Sequence, residues 1–339
     1  SYTLQVTTPA DAGFATPVLS KTGLTATTYT LLSAEALNDG SYMWRVRVFD
    51  ALGNPGCCPT TRSFQVDATA PAAPALSLPA DGAVEGPLPM FEWSSVTDPG
   101  GVTYRFQLTT STDTNFTGPS VDQSDIQITM FHPVTPLFSG SYRWRVQAKD
   151  GFGNTSAFSA ARTLTGDATP PPVPTLTAPD SGAPVSGTPT LTWSAVTDPN
   201  GPVTYSLQAS TQASFLLLAI EQTNLTVPTF TVTTPLVQGT YFWRVAARDG
   251  KLNQSAFSAF RTFIVDTTPP PVPSITAPAQ GLKTSNRTPK LDWSDVTDNV
   301  GPTVKYQVQL AANGLFITLT LDKSNLKVSE YTLAQGEAL

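Results

Sequence analysis

The chain repeats a strongly alternating segment in which every second side chain is apolar. In the clearest copy, residues 140–150, Tyr142, Trp144 and Val146 alternate with polar residues. An alternation with a period of two places the two sets of side chains on opposite faces of a β-strand. Two further copies of the pattern occupy residues 40–50 and 239–249. The pattern therefore predicts three amphipathic strands, each with one buried face.

All six tryptophans of the chain occupy only two positions of a larger repeat. Within each set the spacing is 100 or 99 residues, which is the size of one small β-sandwich. The sets are Trp93, Trp193 and Trp293 on a predicted second strand, and Trp44, Trp144 and Trp243 on a predicted sixth strand. Both positions lie on the apolar side of their strand, so the tryptophans are predicted to build the core. This counts against a role in stacking on sugars.

Short alternating segments separated by turn residues fill the rest of each repeat. In residues 189–193, for example, Leu191 and Trp193 fall on the same face. Asp, Pro, Asn and Gly, which favour turns, stand between such segments. The spacing predicts seven strands per repeat and shows no helical periodicity. The predicted fold class is all-β, a tandem array of seven-stranded antiparallel β-sandwich modules of about 100 residues each.

Segments of the form Asp-x-Thr-x-Pro, beginning at Asp67, Asp167 and Asp266, mark the joints between modules. Proline-rich linkers favour extended, semi-rigid backbone. The predicted modules are a partial one with C-terminal strands, two complete ones, and a partial one with N-terminal strands. We call them module 1 (residues 1–67), module 2 (68–167), module 3 (168–266) and module 4 (267–339).

Two interpretations account for the partial modules. We favour a segment cut from a longer chain. The alternative is that both half-modules are completed by neighbouring subunits through strand exchange. Both halves supply a third strand, so they are not clean complements of one another.

Charge and composition exclude several classes of protein. Charged residues make up 13 % of the chain and the formal net charge is −6. A negative balance does not suit a surface that follows nucleic-acid phosphates or docks on anionic lipid. The longest apolar run, residues 215–220, is far shorter than the roughly 20 residues of a membrane-spanning helix. We therefore expect neither nucleic-acid binding nor membrane insertion in this segment.

The residues around the second, third and sixth strands resemble those of fibronectin type III modules. The resemblance rests on the second-strand tryptophan, the tyrosine that opens the third strand, and the Leu-x-x-Gly-x-Tyr motif at residues 137–142. It implies an Ig-like β-sandwich in which Tyr42, Tyr142 and Tyr241 form a tyrosine corner. The Tyr-x-Trp-Arg-Val segments are similar to a bacterial version that occurs in tandem on secreted and cell-surface proteins. The resemblance covers nearly the whole chain and is specific for the fold.

Motifs for catalysis are missing from the sequence. The single histidine, His132, lies at a position that the other modules do not repeat. The sequence contains no Gly-x-Ser-x-Gly, no His-Glu-x-x-His and no phosphate-binding glycine loop. We therefore expect no catalytic residues, and no cofactor apart from calcium.

Calcium is the ligand for which the sequence offers candidates. Hard Ca²⁺ prefers six to eight oxygen ligands, several of them carboxylates. The candidates recur at the joints and in one predicted loop: Asp67, Asp98, Asp167, Asp198, Asp266 and Asp298. Asp50, Asp150 and Asp249 recur in another loop. Aspartate also caps turns routinely, and turn capping is the interpretation that we favour.

The two cysteines, Cys57 and Cys58, are adjacent and occur only in module 1. They are candidates for a strained vicinal disulfide, for a bridge to another chain, or for two free thiols. An extracellular setting favours the oxidised pair.

Five Asn-x-Ser/Thr triplets are candidate glycosylation sites: Asn115, Asn154, Asn224, Asn253 and Asn286. We favour the alternative in which these asparagines are turn residues only. The outward-facing arginines of the sixth strands are predicted to be solvated, with their stems covering the sheet. The apolar run at residues 215–220 fits a contact surface and local core packing equally well.

The fold and the resemblance lead to two hypotheses about function. The first is a non-catalytic extracellular structural repeat protein of a prokaryotic cell surface, such as a stalk, an adhesin shaft or a filament subunit. Its partners would be other copies or neighbouring modules of one long chain. The alternative is a set of carbohydrate-directed binding or spacer modules in a larger secreted enzyme. A binding module needs an exposed aromatic platform, and the repeated tryptophans are predicted to be buried.

Overall fold

The computed structural model describes residues 1–57, 59–300 and 303–337. These residues are almost entirely strands and turns, which confirms the predicted all-β tandem array. The chain divides into two compact units, Ser1–Ala168 and Thr169–Leu339. In the described residues no helix has the length and apolar character needed to cross a bilayer.

The first part of unit 1 is a single four-stranded sheet, with strand order β2-β1-β3-β4. Its strands are β1 (Tyr2–Thr7), β2 (Leu19–Leu24), β3 (Gly40–Val48) and β4 (Thr61–Val66). Two short 3-10 turns, Pro9–Asp11 and Ser33–Glu35, lie in its loops.

The second part of unit 1 is a complete sandwich of a three-stranded sheet, β10-β7-β5, and a five-stranded sheet, β6-β12-β11-β8-β9. Its strands are β5 (Leu76–Leu78), β6 (Ala83–Glu85), β7 (Phe91–Trp93), β8 (Val102–Thr110), β9 (Val121–Ile126), β10 (Met130–Phe131), β11 (Gly140–Asp150) and β12 (Arg162–Gly166).

Unit 2 begins with a second complete sandwich, in which β13-β15-β18 packs on β14-β20-β19-β16-β17. Its strands are β13 (Leu176–Ala178), β14 (Ala183–Val185), β15 (Thr190–Trp193), β16 (Thr204–Ser210), β17 (Ile220–Leu225), β18 (Thr229–Thr231), β19 (Gly239–Arg248) and β20 (Arg261–Val265).

The rest of unit 2 forms the sheets β21-β22-β25 and β23-β24. The strands are β21 (Ile275–Ala277), β22 (Lys290–Trp293), β23 (Tyr306–Ala311), β24 (Leu319–Leu326) and β25 (Glu330–Thr332), followed by a 3-10 turn at Gln335–Glu337.

The core of each complete sandwich forms where the second-strand and sixth-strand aromatic residues meet between the sheets. In module 2, Trp144 on β11 packs edge-on against Phe91 on β7, with ring centroids 5.0 Å apart. Both side chains are fully buried. The alternation along β11 produces this core because it directs every second side chain towards the other sheet.

One strand of each sandwich departs from the antiparallel prediction. The short strand β6 pairs in parallel with β12, and β14 pairs in parallel with β20. Pro79 ends the preceding strand because it has no amide hydrogen to donate. Gly82, with φ of +75°, then lets the chain turn so that its amide bonds the Thr163 carbonyl at 2.9 Å. Modules 2 and 3 therefore contain eight strands instead of seven.

The penultimate residue of β2, β9, β17 and β24 is left-handed, at an irregularity in the pairing with the preceding strand. The four residues, all with φ between 57° and 69°, are Gly23, Asp125, Asn224 and Asn325. Glycine, asparagine and aspartate tolerate this conformation best. The residue types at this position are therefore explained by the backbone.

Candidate functional site

Three aspartates meet in unit 1 where module 1 joins module 2. Asp67 follows β4, Asp98 lies in the loop after β7, and Asp150 ends β11. One carboxylate oxygen of each lies within 4.8 Å of the others. We call these residues the acidic triad. Three carboxylates at this spacing suit a hard cation such as Ca²⁺.

Each member of the acidic triad also caps a turn. Asp150 Oδ1 accepts the amides of Phe152, Gly153 and Asn154 at 2.9, 2.6 and 2.8 Å, and Oδ2 accepts the Asn154 side chain at 2.7 Å. Burial of Asp150 opposes its ionisation, but the bonds from Asn154 and the amides outweigh this and lower its pKa. Asp98 accepts the Gly100 amide at 3.2 Å, and Asp67 accepts the Thr69 amide at 3.0 Å.

Of the six calcium candidates, Asp67 and Asp98 lie together in unit 1. Asp150, which was not among the six, is the third member of this group. The spacing Asp150-x-x-x-Asn154, repeated at residues 50–54 and 249–253, is the sequence signal for this third position. In unit 2, carboxylate oxygens of Asp198 and Asp249 lie within 4.8 Å of each other.

Two of the remaining candidates occupy local turns. Asp266 accepts the Thr268 amide at 3.0 Å, and Asp298 accepts the Asn299 amide at 3.0 Å. Asp167 is buried, and its amide donates to the Glu85 carbonyl at 2.8 Å. Calcium binding stays a prediction.

One sixth-strand arginine of module 2 and one of module 3 are stacked on aromatic rings, which differs from the solvated face expected from the sequence. Arg145 lies between Phe116 and Phe158, 4.0 and 3.9 Å from the ring centroids, and its Nε donates to Gln107 at 2.9 Å. Arg244 lies between Phe215 and Phe257 at 4.1 and 4.3 Å. The outward alternation was evident in the sequence, but the rings come from distant loops.

The apolar run at residues 215–220 is divided between two environments. Phe215 is buried against Arg244 and Ile220 is buried in the module 3 core, whereas Leu216 and Leu217 are 81 % and 70 % exposed. Core packing thus explains the ends of the run, and the two leucines at the loop tip remain on the surface.

Five of the six tryptophans are buried: Trp93, Trp144, Trp193, Trp243 and Trp293. Trp44 is half-buried and lines an open cleft of about 470 Å³ together with Tyr2, Leu4 and Phe64. Within the described residues no second sheet covers this face of module 1. The five buried indole rings are inaccessible to a flat ligand.

The three tyrosines of the corner motif are buried, and each hydroxyl donates to a carbonyl four residues earlier. Tyr42 bonds Asn38 at 2.9 Å, and Tyr142 bonds Phe138 at 3.1 Å. Tyr241 bonds Val237 at 3.2 Å. These bonds tie the loop before the sixth strand to the strand itself.

The modification candidates fall into different environments. Asn115, Asn224 and Asn286 are exposed. Asn154 and Asn253 donate their side-chain amides to Asp150 and Asp249, at 2.7 and 2.8 Å, which disfavours glycosylation there. Cys57 is exposed, and Cys58 lies outside the described residues, so the vicinal disulfide stays a prediction. His132 is exposed after β10.

No family model matches the chain. Exoglucanase B of Cellulomonas fimi is 30 % identical over 286 residues, which cover 79 % of this chain and 24 % of that protein. The chain thus spans about a quarter of the length of this relative.

Among solved structures, the crystal structure of the FN1–FN3 domains of chicken CNTN1 is similar, with a TM-score of 0.41 and 14 % identity over 66 % of this chain and 75 % of that chain. The fibronectin(III)-like modules of Clostridium thermocellum CbhA give a TM-score of 0.36 and 15 % identity over 57 % of this chain and 93 % of that chain. The strand order, the paired tryptophan positions and the tyrosine corners make this chain a tandem array of fibronectin type III-like β-sandwich modules.

Proposed function

We propose that this chain is a set of non-catalytic spacer modules within a larger secreted enzyme that acts on glucan. The observation that carries the proposal is the match to exoglucanase B, which takes up 79 % of this chain but 24 % of the relative. A match of that kind is expected when two proteins share accessory modules. The proposal adopts the alternative hypothesis from the sequence, in place of a stalk or filament subunit.

The structure of the modules supports a spacer more than a sugar-binding module. Carbohydrate-binding platforms present aromatic rings to solvent. Here Trp93, Trp144 and Trp193 are buried in cores, and the loop rings Phe116 and Phe215 are buried against arginines. These aromatic residues therefore stabilise the modules and are not presented to a ligand.

The test uses native protein recovered with antibodies raised against this chain. We expect the antigen to be secreted, to exceed the 35.9 kDa of this segment, and to hydrolyse glucan. The isolated chain should neither release reducing sugar from cellulose nor sediment with it.

Three outcomes would contradict the proposal. Hydrolysis by the isolated chain would make it catalytic, and cosedimentation with cellulose would make it a binding module. Filaments of the isolated chain in electron micrographs, together with a native antigen that lacks hydrolytic activity, would favour the structural subunit.

A further inference from the structure

The linker between modules 1 and 2 is hydrogen-bonded by both of the modules that it joins. From module 1, the Asp39 carboxylate accepts the Ala68 amide at 2.7 Å and also the Thr69 hydroxyl. From module 2, Asn154 Nδ2 donates to the Asp67 carbonyl oxygen at 3.0 Å. Asn154 lies 87 positions from Asp67, so this bond is a tertiary contact and not a property of the linker.

The Asn154 side chain is held in place before it reaches the linker. Its Nδ2 group also donates to Asp150 Oδ2 at 2.7 Å, and its backbone amide donates to Asp150 Oδ1 at 2.8 Å. Asp150 is only 4 % exposed at the end of β11. A donor fixed in this way loses little side-chain entropy when it binds the linker.

An open cleft separates parts of the two modules at their joint. The cleft has a volume of about 490 Å³ and is lined on one side by Ser41 and Val66 and on the other by Pro99 and Phe152. The acidic triad also gathers three carboxylates at this joint, and like charges oppose close approach. Adjacent domains of one chain move relative to each other unless a large apolar interface or specific bonds hold them.

The bond from the preceding module recurs at other linkers. Ser139 Oγ accepts the Ala168 amide at 3.0 Å, and the Thr268 hydroxyl donates to Gln238 Oε1 at 2.7 Å. Asp39, Ser139 and Gln238 each stand directly before the glycine that opens the sixth strand. The residue before this glycine therefore bonds the following linker in three modules. In each case its side chain supplies the acceptor oxygen.

We propose that Asp39 and Asn154 together fix the joint between modules 1 and 2, so that this part of the chain is stiff. The two bonds immobilise the backbone at Asp67 and Ala68, which the prolines further along the linker leave free. The purpose of a stiff joint rests on the proposed spacer function. The stiffness of the joint is measured on the isolated chain. The result therefore does not depend on whether the chain is a spacer.

The experiment measures the distance between a label on each module in the full chain. Labels are attached at Thr25→Cys and Ser120→Cys, both exposed, after Cys57→Ser and Cys58→Ser. We expect a narrow distance distribution in the parent chain. We call the joint closed when the labels lie at the distance found in the parent chain, and open otherwise. Asn154→Ala should lower the ratio of closed to open molecules roughly fivefold, because it removes one neutral hydrogen bond across the joint. Asp39→Ala should broaden the distribution in the same way.

Two control variants test whether the change in distance arises at the joint or from loss of a turn-capping bond. Asn54→Ala removes the equivalent side-chain bond to Asp50, 2.8 Å long, in a loop that is exposed. Ser139→Ala removes a linker bond at the next joint, so neither control should change the distance. A broad distribution in the parent chain, no change in Asn154→Ala, or equal broadening in Asn54→Ala would overturn the proposal. Unchanged hydrogen exchange in β11 shows that the Asn154 variant is folded.

Discussion

Arg145 connects three parts of module 2 that lie far apart in the sequence. Its guanidinium lies between the rings of Phe116, in the loop before β9, and Phe158, in the segment after β11. Phe116 has φ of 57°, a conformation that non-glycine residues adopt rarely and that its packing on Arg145 compensates. Module 3 repeats the arrangement with Arg244 and Phe215.

Arg145→Lys should lower the free energy of unfolding of module 2 by about 1–2 kcal/mol. Lysine keeps the charge but loses the planar face that contacts both rings and the directed bond to Gln107. Hydrogen exchange, followed by mass spectrometry of peptides from each module, measures the change. Arg244→Lys is the matched control and should affect module 3 alone. Equal protection of the loops in the parent chain and Arg145→Lys would show that the stack contributes nothing.

The segment that leads out of the fifth predicted strand of a module, which in modules 1 to 3 precedes the sixth strand, has two forms. In modules 1 and 4 a glutamate in a 3-10 turn accepts bonds from a lysine and a tyrosine. Glu35 contacts Lys21 and the Tyr29 hydroxyl, and Glu337 contacts Lys323 and the Tyr331 hydroxyl. Gln123 and Gln222 occupy the register position of the lysine in modules 2 and 3. Modules 1 and 4 therefore form one type and modules 2 and 3 another.

Acid should loosen this segment in modules 1 and 4. Bonds from Lys21, Tyr29 and the Leu32 amide lower the pKa of Glu35 from its ordinary 4.5 to about 2, and Lys323 and its neighbours do the same for Glu337. A depressed folded-state pKa gives stability that is present above pH 4.5 and is lost as the pH falls towards 2. Carbon NMR of the two carboxyls should show midpoints near 2, and Glu35→Gln should remove one of them. Midpoints near 4.5 would exclude the bonded cluster.

The acidic triad provides a test of the interpretation that its members only cap turns. Under that interpretation, chelation of calcium leaves the melting temperature of the chain unchanged. It also predicts that Asp98→Asn, which keeps an oxygen for the Gly100 amide, changes stability by less than about 0.5 kcal/mol. Calorimetry of the parent chain and of Asp98→Asn, each with Ca²⁺ or with a chelator, measures these melting temperatures. A calcium-dependent rise in melting temperature that is absent in Asp98→Asn and present in Asp298→Asn would establish a metal site.

The modules differ in how completely their cores are covered. The second sheet covers Trp144 and Trp243 in modules 2 and 3. Trp44, on the four-stranded sheet of module 1, faces an open cleft in the described residues. The same strand pattern therefore yields either a buried or a half-buried tryptophan, depending on the sheet opposite.

Trp44 should account for most of the tryptophan emission that acrylamide quenches. Trp44→Phe is expected to remove the quenchable component, because the other five indoles are buried. Trp193→Phe, a change in a covered core, should leave that component in place. Equal quenching in the two variants would mean that the cleft of module 1 is closed in solution.

Much of the fold could be predicted because it depends on local patterns. The alternation predicted a strand at 140–150, and β11 spans Gly140–Asp150. The copies at 40–50 and 239–249 end slightly earlier, at Val48 and Arg248, since strand ends have few ladder partners. The parallel strand β6 was not predicted because its three residues carry no periodicity and its partner β12 lies about 80 residues away.

The sequence by itself determined the repeat, the strands and the side of each strand that is buried, because a period of two and a tryptophan spacing of about 100 residues are written into the chain. The tertiary structure alone decided which distant side chains meet. It placed Asn154 on the carbonyl of Asp67, Arg145 between two phenylalanines, and Asp150 beside Asp98. Those contacts depend on how strands and loops far apart in the sequence come together in space, which no local pattern encodes.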